Sequence, residues 1–215
     1  FFQAEDGIRY SVASRGLGDV YKRQRQTDEA IVSHYRAVAA AADLPFYVYN
    51  LPQSTGVEIT PELMQKIQEG VPQLAGLKHS SINFANVREW EKMGLSCFIG
   101  SSMLMVPALS LGAVGCIDGP PSAAPELWVN IWKSWQSGDI NAAMEAQKKA
   151  SSFTEIMREA GVHSGTKAVL TERLGIDCGS GRLPNPPLEG ARRENILQRV
   201  SDLGIGKVMS VASDD

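Results

Sequence analysis

No stretch of this 215-residue chain reaches the roughly 18 consecutive apolar residues that a bilayer-spanning helix needs. A membrane helix is therefore not expected. There is no cluster of basic residues either, and the formal net charge is −3, which argues against nucleic acid as the main partner. Cysteine is scarce. Cys97, Cys116 and Cys178 are odd in number and lack C-x-x-C spacing, so they read as buried free thiols in a reducing, cytoplasmic compartment. His34, His79 and His163 are scattered, and neither a zinc site nor a Ser-His-Asp triad finds a local signature. The chemistry expected here uses no metal and no organic cofactor. What remains, at 43% hydrophobic and 21% charged, is the composition of an ordinary globular protein.

Against that background two short apolar runs stand out. Phe46-Tyr47-Val48-Tyr49 leads into Asn50-Leu51-Pro52-Gln53-Ser54-Thr55-Gly56, and Leu74-Ala75-Gly76-Leu77-Lys78 follows one helix's worth of sequence later. Each run is strand-like and ends on a reactive side chain, first a phenol and then an amine. Strand, helix, strand describes a βα repeat. A lysine that closes an apolar strand is poorly solvated, so its ammonium form is disfavoured and its pKa is expected to fall. Such an amine can attack a ketone and form an imine. A strand-terminal lysine taken alone is usually a solvated chain end; the tyrosine one repeat upstream tips the reading toward catalysis.

The rest of the chain supplies more of the same repeat. Thr27 is an expected N-cap for a helix that Asp43-Leu44-Pro45 stops, and Thr60 caps a helix with Pro61 at its first position. Asn83 is the expected cap of a helix carrying Phe84, Val87 and Trp90, closed by Gly94. Ser96 to Ile99 is a third strand, residues 103–111 a helix, and Ala113 to Ile117 a fourth strand. Trp128, Ile131, Trp132 and Trp135 form a helical stripe that reads as core packing. After Gly138 helices are expected at 139–160, 164–174 and 189–203. The fold class expected is α/β: residues 25–138 as the last four strands of a (β/α)8 barrel, and 139–215 as a C-terminal helical annex. Val48, Leu77, Phe98 and Val114 are expected on the inner face of that half-barrel, left uncovered.

Residues 1–24 follow a different pattern, without apolar periodicity and without the apolar core of a signal peptide. The string resembles translated sequencing-adaptor read-through. It is expected to be an artefactual or flexible leader standing where the true start of the gene has been lost.

From about Arg25 to Leu188 the chain resembles the C-terminal part of the dihydrodipicolinate synthase/N-acetylneuraminate lyase family of (β/α)8 class I aldolases. The resembling motifs are Tyr49-Asn50-Leu51-Pro52 with Thr55-Gly56, Gly76-Leu77-Lys78, Gly100-Ser101, and Leu111-Gly112-Ala113-Val114-Gly115. The resemblance implies Lys78 as the Schiff-base lysine and Tyr49 as the proton shuttle, and Gly100, Ile117 and Asp118 are the candidate substrate-binding residues. Asn50, Thr55 and Gly56 shape the loop, and His79 faces away from the barrel axis as a structural residue. It further implies a 2-keto acid such as pyruvate and an aldehyde as partners, and a tetramer for the intact enzyme.

The departures are as informative. Dihydrodipicolinate synthases typically carry an arginine before the Thr-Gly of this loop, to grip the carboxylate of aspartate semialdehyde. Here Ser54 stands in its place and cannot make a bidentate charged contact. Their Asn-Pro-x-Pro-x-Lys segment is replaced by Gly161-Val162-His163-Ser164-Gly165-Thr166-Lys167. Sialic-acid lyases place an acidic pair after the third-strand glycine, where this chain has Ser102-Met103. Asp118 stands where the family has a small residue, and substrate binding and structural pairing remain equally open for it. The expected activity is that of a Schiff-base lyase or aldolase, similar to N-acetylneuraminate lyases or 4-hydroxy-2-oxoglutarate aldolases. The alternatives are 4-hydroxy-tetrahydrodipicolinate synthase and a truncated product without a working site.

Overall fold

The computed structural model describes residues 26–42 and 44–207, and its contacts divide the chain into two units, residues 1–96 and 97–215. The leader expected over 1–24 lies outside the described residues. The division at Ser96/Cys97 falls within the span expected to form the partial barrel.

The first unit begins as its capping chemistry dictates. Thr27 is extended, and its hydroxyl accepts the Ala30 amide at 3.2 Å to start α1 (Asp28–Ala40). Asp28 and Glu29 occupy the first turn, where carboxylates favour the helix dipole. β1 (Phe46–Asn50) leads into a single turn, α2 (Pro52–Thr55), which Gly56 closes at φ 70, a left-handed conformation that favours glycine. Thr60 caps α3 (Pro61–Gly70) by accepting from the Leu63 amide at 3.3 Å, with Pro61 at the position where no amide hydrogen is needed. β2 (Leu74–His79) then runs parallel to β1. α4 (Asn86–Lys92) starts two residues later than an Asn83 cap implies. The Asn83 carbonyl is already used in the preceding turn, where it accepts the Asn86 amide and the His79 ring.

Strand alternation gives β1 and β2 two different faces. Val48, Asn50, Leu77 and His79 are fully buried, beside Met64, Ile67, Val87 and Trp90, whereas Tyr47 and Tyr49 are each 45% exposed. The expected uncovered face is thereby corrected. Val48 and Leu77 belong to the buried side, and the tyrosines to the open one, because residues one step apart on a strand point oppositely.

In the second unit β3 (Ser96–Ile99) pairs parallel with β4 (Gly115–Cys116), Phe98 opposite Gly115 and Ile99 opposite Cys116. β4 is shorter than the expected 113–117, although Val114 N donates to Cys97 O and Ile117 N to Ile99 O on either side of it. The helix expected at 103–111 is a 3-10 turn (Ser102–Leu104) followed by α5 (Met105–Ser110). Pro107 removes an amide hydrogen from that first turn, so a longer regular α-helix loses a bond there. α6 (Pro125–Gln136), α7 (Ile140–Ala160), α8 (Val162–Leu174) and α9 (Gly190–Asp202) follow, with Asp139 capping α7 and Gly161 ending it at φ 84. Their core is Leu127, Trp128, Ile131, Phe153, Met157, Val169, Ile196 and Val200. The tryptophan stripe is narrower than expected. Trp128 and Ile131 are buried and Trp135 is half-buried, but Trp132 is 37% exposed, turned off the Leu127–Ile131 edge.

Candidate active site

Tyr49 and Lys78 meet because β1 and β2 are parallel and in register, Tyr49 opposite Lys78 and Asn50 opposite His79. The two reactive groups share one face, and the Lys78 ammonium lies 4.1 Å from the centroid of the Tyr49 ring. At that distance the cation is held by the negative face of the phenol. Lys78 is half-buried and closes the run Ala75-Gly76-Leu77, as its sequence position implied.

Behind this pair, on the buried face, sits a polar network. Asn50 Oδ1 accepts the Ile59 amide at 3.0 Å, which fixes the orientation of its amide group. Asn50 Nδ2 then lies 3.1 Å from Glu58 Oε1, 3.3 Å from Ile59 O and 3.3 Å from His79 Nδ1. Trp90 Nε1 donates to the same His79 Nδ1 at 3.3 Å. An indole N–H can only donate. His79 Nδ1 is therefore an acceptor, the ring hydrogen is on Nε2, and Nε2 donates to Asn83 O at 3.1 Å. Burial lowers the His79 pKa from 6.5, opposed by the Asn83 carbonyl and the Glu58 carboxylate. Glu58 Oε2 also accepts from Ser81 Oγ at 2.9 Å.

The loop after β1 is held from within. Thr55 Oγ1 donates at 3.0 Å to Leu51 O and accepts the Val57 amide at 3.2 Å. Asn50, Thr55 and Gly56 thus act on the loop, as the sequence implied. Ser54 is exposed on α2. A cavity of about 350 Å³ opens beside the phenol, lined by Ile31, His34, Tyr35, Tyr49, Val57 and Ile59 among others. Burial pushes the Tyr35 phenol above its usual pKa.

The remaining expected site residues belong to the second unit. Gly100 directly follows β3 and is half-buried, and Ile117 is exposed just past β4. Asp118 has structural partners. Its Oδ2 accepts the Ser102 amide at 2.9 Å and its Oδ1 the Gly119 amide at 2.7 Å, tying the end of β4 to the turn after β3. Ser102 is fully buried, and its carbonyl accepts Trp128 Nε1 at 3.1 Å and Gln147 Nε2 at 3.2 Å. Burial pushes the thiols of both Cys97 and Cys116 up to about 12, helped at Cys116 by Asp118. Cys97 is buried as expected, while Cys116 and Cys178 are only half-buried. Among the described residues no group of three or more His, Cys, Asp or Glu could hold a metal ion, and no helix is long and apolar enough to cross a membrane.

Sequence reasoning missed Glu58, Ser81 and Gln147. Their bonds Glu58–Asn50, Ser81–Glu58 and Gln147–Ser102 span 8, 23 and 45 residues, and no local pattern announces such contacts.

Comparison with known proteins adds a second line of observation. A sequence model of the dihydrodipicolinate synthetase family matches residues 21–203. An uncharacterized DapA-like lyase of Halobacterium salinarum is 33% identical over 178 residues, covering 82% of this chain and 58% of that protein. A 4-hydroxy-tetrahydrodipicolinate synthase of Archaeoglobus fulgidus is 27% identical over 178 residues, covering 81% of this chain and 61% of that protein. The chain thus spans 58% and 61% of the length of these two relatives. Among solved structures, the wild-type sialic acid aldolase of Ruminococcus gnavus superposes with a TM-score of 0.77 at 25% identity, over 84% of this chain and 62% of that one. A 2-keto-3-deoxygluconate aldolase variant of Sulfolobus solfataricus gives 0.74 at 22% identity, over 84% and 61%.

Proposed function

The chain belongs to the dihydrodipicolinate synthetase family, and from that premise we propose that the whole protein is a class I lyase or aldolase acting through Lys78. The Lys78 amine attacks the keto carbon of pyruvate or another 2-keto acid. The carbinolamine loses water, and the resulting iminium accepts the electron pair released when the carbon–carbon bond breaks, or supplies it as an enamine when the bond forms. Tyr49 carries protons between the substrate oxygen and the amine nitrogen. No metal or organic cofactor is required by these steps. Gly100 and Ile117 offer backbone groups to the substrate, and Asp118 sets the loop that carries Gly100.

The observation that carries this reading is the Lys78 amine 4.1 Å from the Tyr49 ring at the ends of paired parallel strands. A (β/α)8 barrel places its chemistry at the C-terminal ends of its strands. In the finer reading, β1 to β4 are the last four strands of such a barrel, α7 to α9 form a helical annex, and the whole enzyme is a cytoplasmic homotetramer. Borohydride reduction of the full-length protein with pyruvate should add the pyruvate-derived mass to the peptide containing Lys78. Labelling at Lys66, Lys92 or Lys167 instead refutes the assignment.

A second reading, 4-hydroxy-tetrahydrodipicolinate synthase, is supported by the names of several curated relatives. Ser54 weighs against it, since a hydroxyl cannot replace a guanidinium on the semialdehyde carboxylate. A lost charged hydrogen bond costs about 1.5–3 kcal/mol, hence roughly tenfold to over a hundredfold in specificity. Condensation of pyruvate with aspartate semialdehyde at a rate exceeding cleavage of 4-hydroxy-2-oxo acids decides for the second reading. Absence of trapping by any 2-keto acid decides for a product without a working site.

A further inference from the structure

The buried face of β1 and β2 carries polar groups that the proposed chemistry does not use. Asn50 and His79 are fully buried, each one residue beyond a member of the Tyr49–Lys78 pair and opposite each other in the strand register. A one-residue slip of a strand turns every side chain to the other face. Here a slip is costly for a specific reason. Trp90 Nε1 donates to His79 Nδ1, Asn50 Nδ2 lies 3.3 Å from the same nitrogen, and a displaced ring leaves the indole N–H, deep in the core, without that acceptor. On its other side the ring donates to Asn83 O, and Asn50 is itself fixed to Ile59 through both its oxygen and its nitrogen. The imidazole is thus pinned from β1, from α4 and from the turn after β2.

We propose that His79 is a positioning residue for the Lys78–Tyr49 pair: as a neutral ring accepting at Nδ1 from Asn50 and Trp90, it locks the register that places the amine against the phenol. The proposal rests on the Schiff-base reading given above. The charged group facing this cluster is Glu58, bonded to Asn50 and Ser81. Burial disfavours the imidazolium, and a proton on Nδ1 would meet two N–H donors head-on. The arrangement therefore works only with the ring neutral.

Two substitutions separate its two nitrogens. His79→Asn keeps an acceptor where Nδ1 stands and abandons the bond to Asn83 O. His79→Gln can keep the Nε2-like donor to Asn83 O and abandons the Nδ1 acceptor. In the full-length protein, His79→Asn should hold kcat within about threefold of wild type. His79→Gln should lose roughly tenfold to a hundredfold in kcat with KM for the 2-keto acid little changed, since misplacing reacting groups by about an ångström costs that much. Equal kcat for the two variants, at a temperature where both are folded, overturns the positioning role. Ring 15N shifts of wild-type His79 supply a measurement that needs no variant. They should report an Nε2–H tautomer whose pKa lies below 6.5; an Nδ1–H tautomer, or a ring titrating as a free histidine does, also overturns the role. Failure to trap wild-type Lys78 with borohydride is a different result, and it removes the Schiff-base reading itself together with the role assigned within it.

Discussion

A single hydroxyl decides much of the chemistry proposed for this protein. Tyr49→Phe keeps the ring on which the Lys78 ammonium rests and removes only the proton carrier. The fold should survive, and kcat should fall by about 10²–10⁴-fold, as it does when a positioned acid–base group is deleted. Steady-state turnover of the full-length protein on the proposed 2-keto acid substrate, paired with circular dichroism, checks both halves. A kcat within threefold of wild type makes the phenol a packing residue. The residue scale is also where the sequence was most legible. Tyr49 and Lys78 announce themselves because each ends an apolar run, a local property of the chain. Asp118 was left open between two roles, since nothing near it in sequence reveals that the Ser102 amide, sixteen residues upstream, is its partner. Glu58 went unread for the same reason.

At the scale of the element, β2 is constrained at Gly76. A Cβ built there would lie 2.0 Å from the Ser96 carbonyl oxygen and 2.8 Å from the Tyr47 ring. The Ser96 backbone does not yield cheaply, so Gly76→Ala should destabilise by several times the roughly 1 kcal/mol of an average substitution; urea denaturation followed by tryptophan fluorescence measures it. A loss below about 0.5 kcal/mol would mean that β2 has room to shift. The histidine three residues on makes the same element sensitive to acid. Its folded pKa is depressed below 6.5, so the unfolded chain binds the proton more readily. The stability that depends on neutral His79 is complete above pH 6.5 and is lost as pH falls from there through the folded value. The denaturation midpoint should decline over that window in wild type, and decline less in His79→Asn, which has nothing to protonate. Helix starts were legible where a side-chain oxygen caps them, at Thr27, Thr60 and Asp139. They were misplaced where a carbonyl was already in use, at Asn83, or where a proline lies in the first turn, at Pro107.

At the scale of the whole molecule, one arginine ties α8 both to the start of α6 and to the segment after α9. Arg173 on α8 is 10% exposed at its side chain, binds the Ala123 carbonyl and Glu126 at the start of α6 with Nη2 2.5 Å from Oε1, and donates from Nε to Gly206 O at 3.0 Å beyond α9. Glu126 is nearly half exposed, so solvent screens part of the charge attraction, but the carbonyl of the buried Ala123 has no such relief. Arg173→Ala should cost about 3 kcal/mol or more, lowering Tm by roughly 6–12 °C for a protein of this size. A shift under about 2 °C in a thermal melt would show that the arginine is dispensable. Sequence gave no sign of this joint. The arginine sits among ordinary charged residues of α8, and its partners are 33 to 50 residues away. The parallel strands, by contrast, could be read from their apolar runs, although which face lies open required knowing the parity that Tyr49 and Lys78 impose.

The contact between the Lys78 ammonium and the Tyr49 ring gives the protein an optical reporter of its own. A full positive charge 4.1 Å from an aromatic centroid perturbs the electronic transitions of that ring. In the proposed reaction the ammonium gives up a proton, the free amine adds to the keto acid as a neutral carbinolamine, and loss of water leaves an iminium on a longer arm, so the charge above the phenol would vanish and return elsewhere. Tyr49 is placed directly against the Lys78 nitrogen. Its near-ultraviolet difference spectrum would therefore follow each covalent stage in real time, without dye, label or coupled assay.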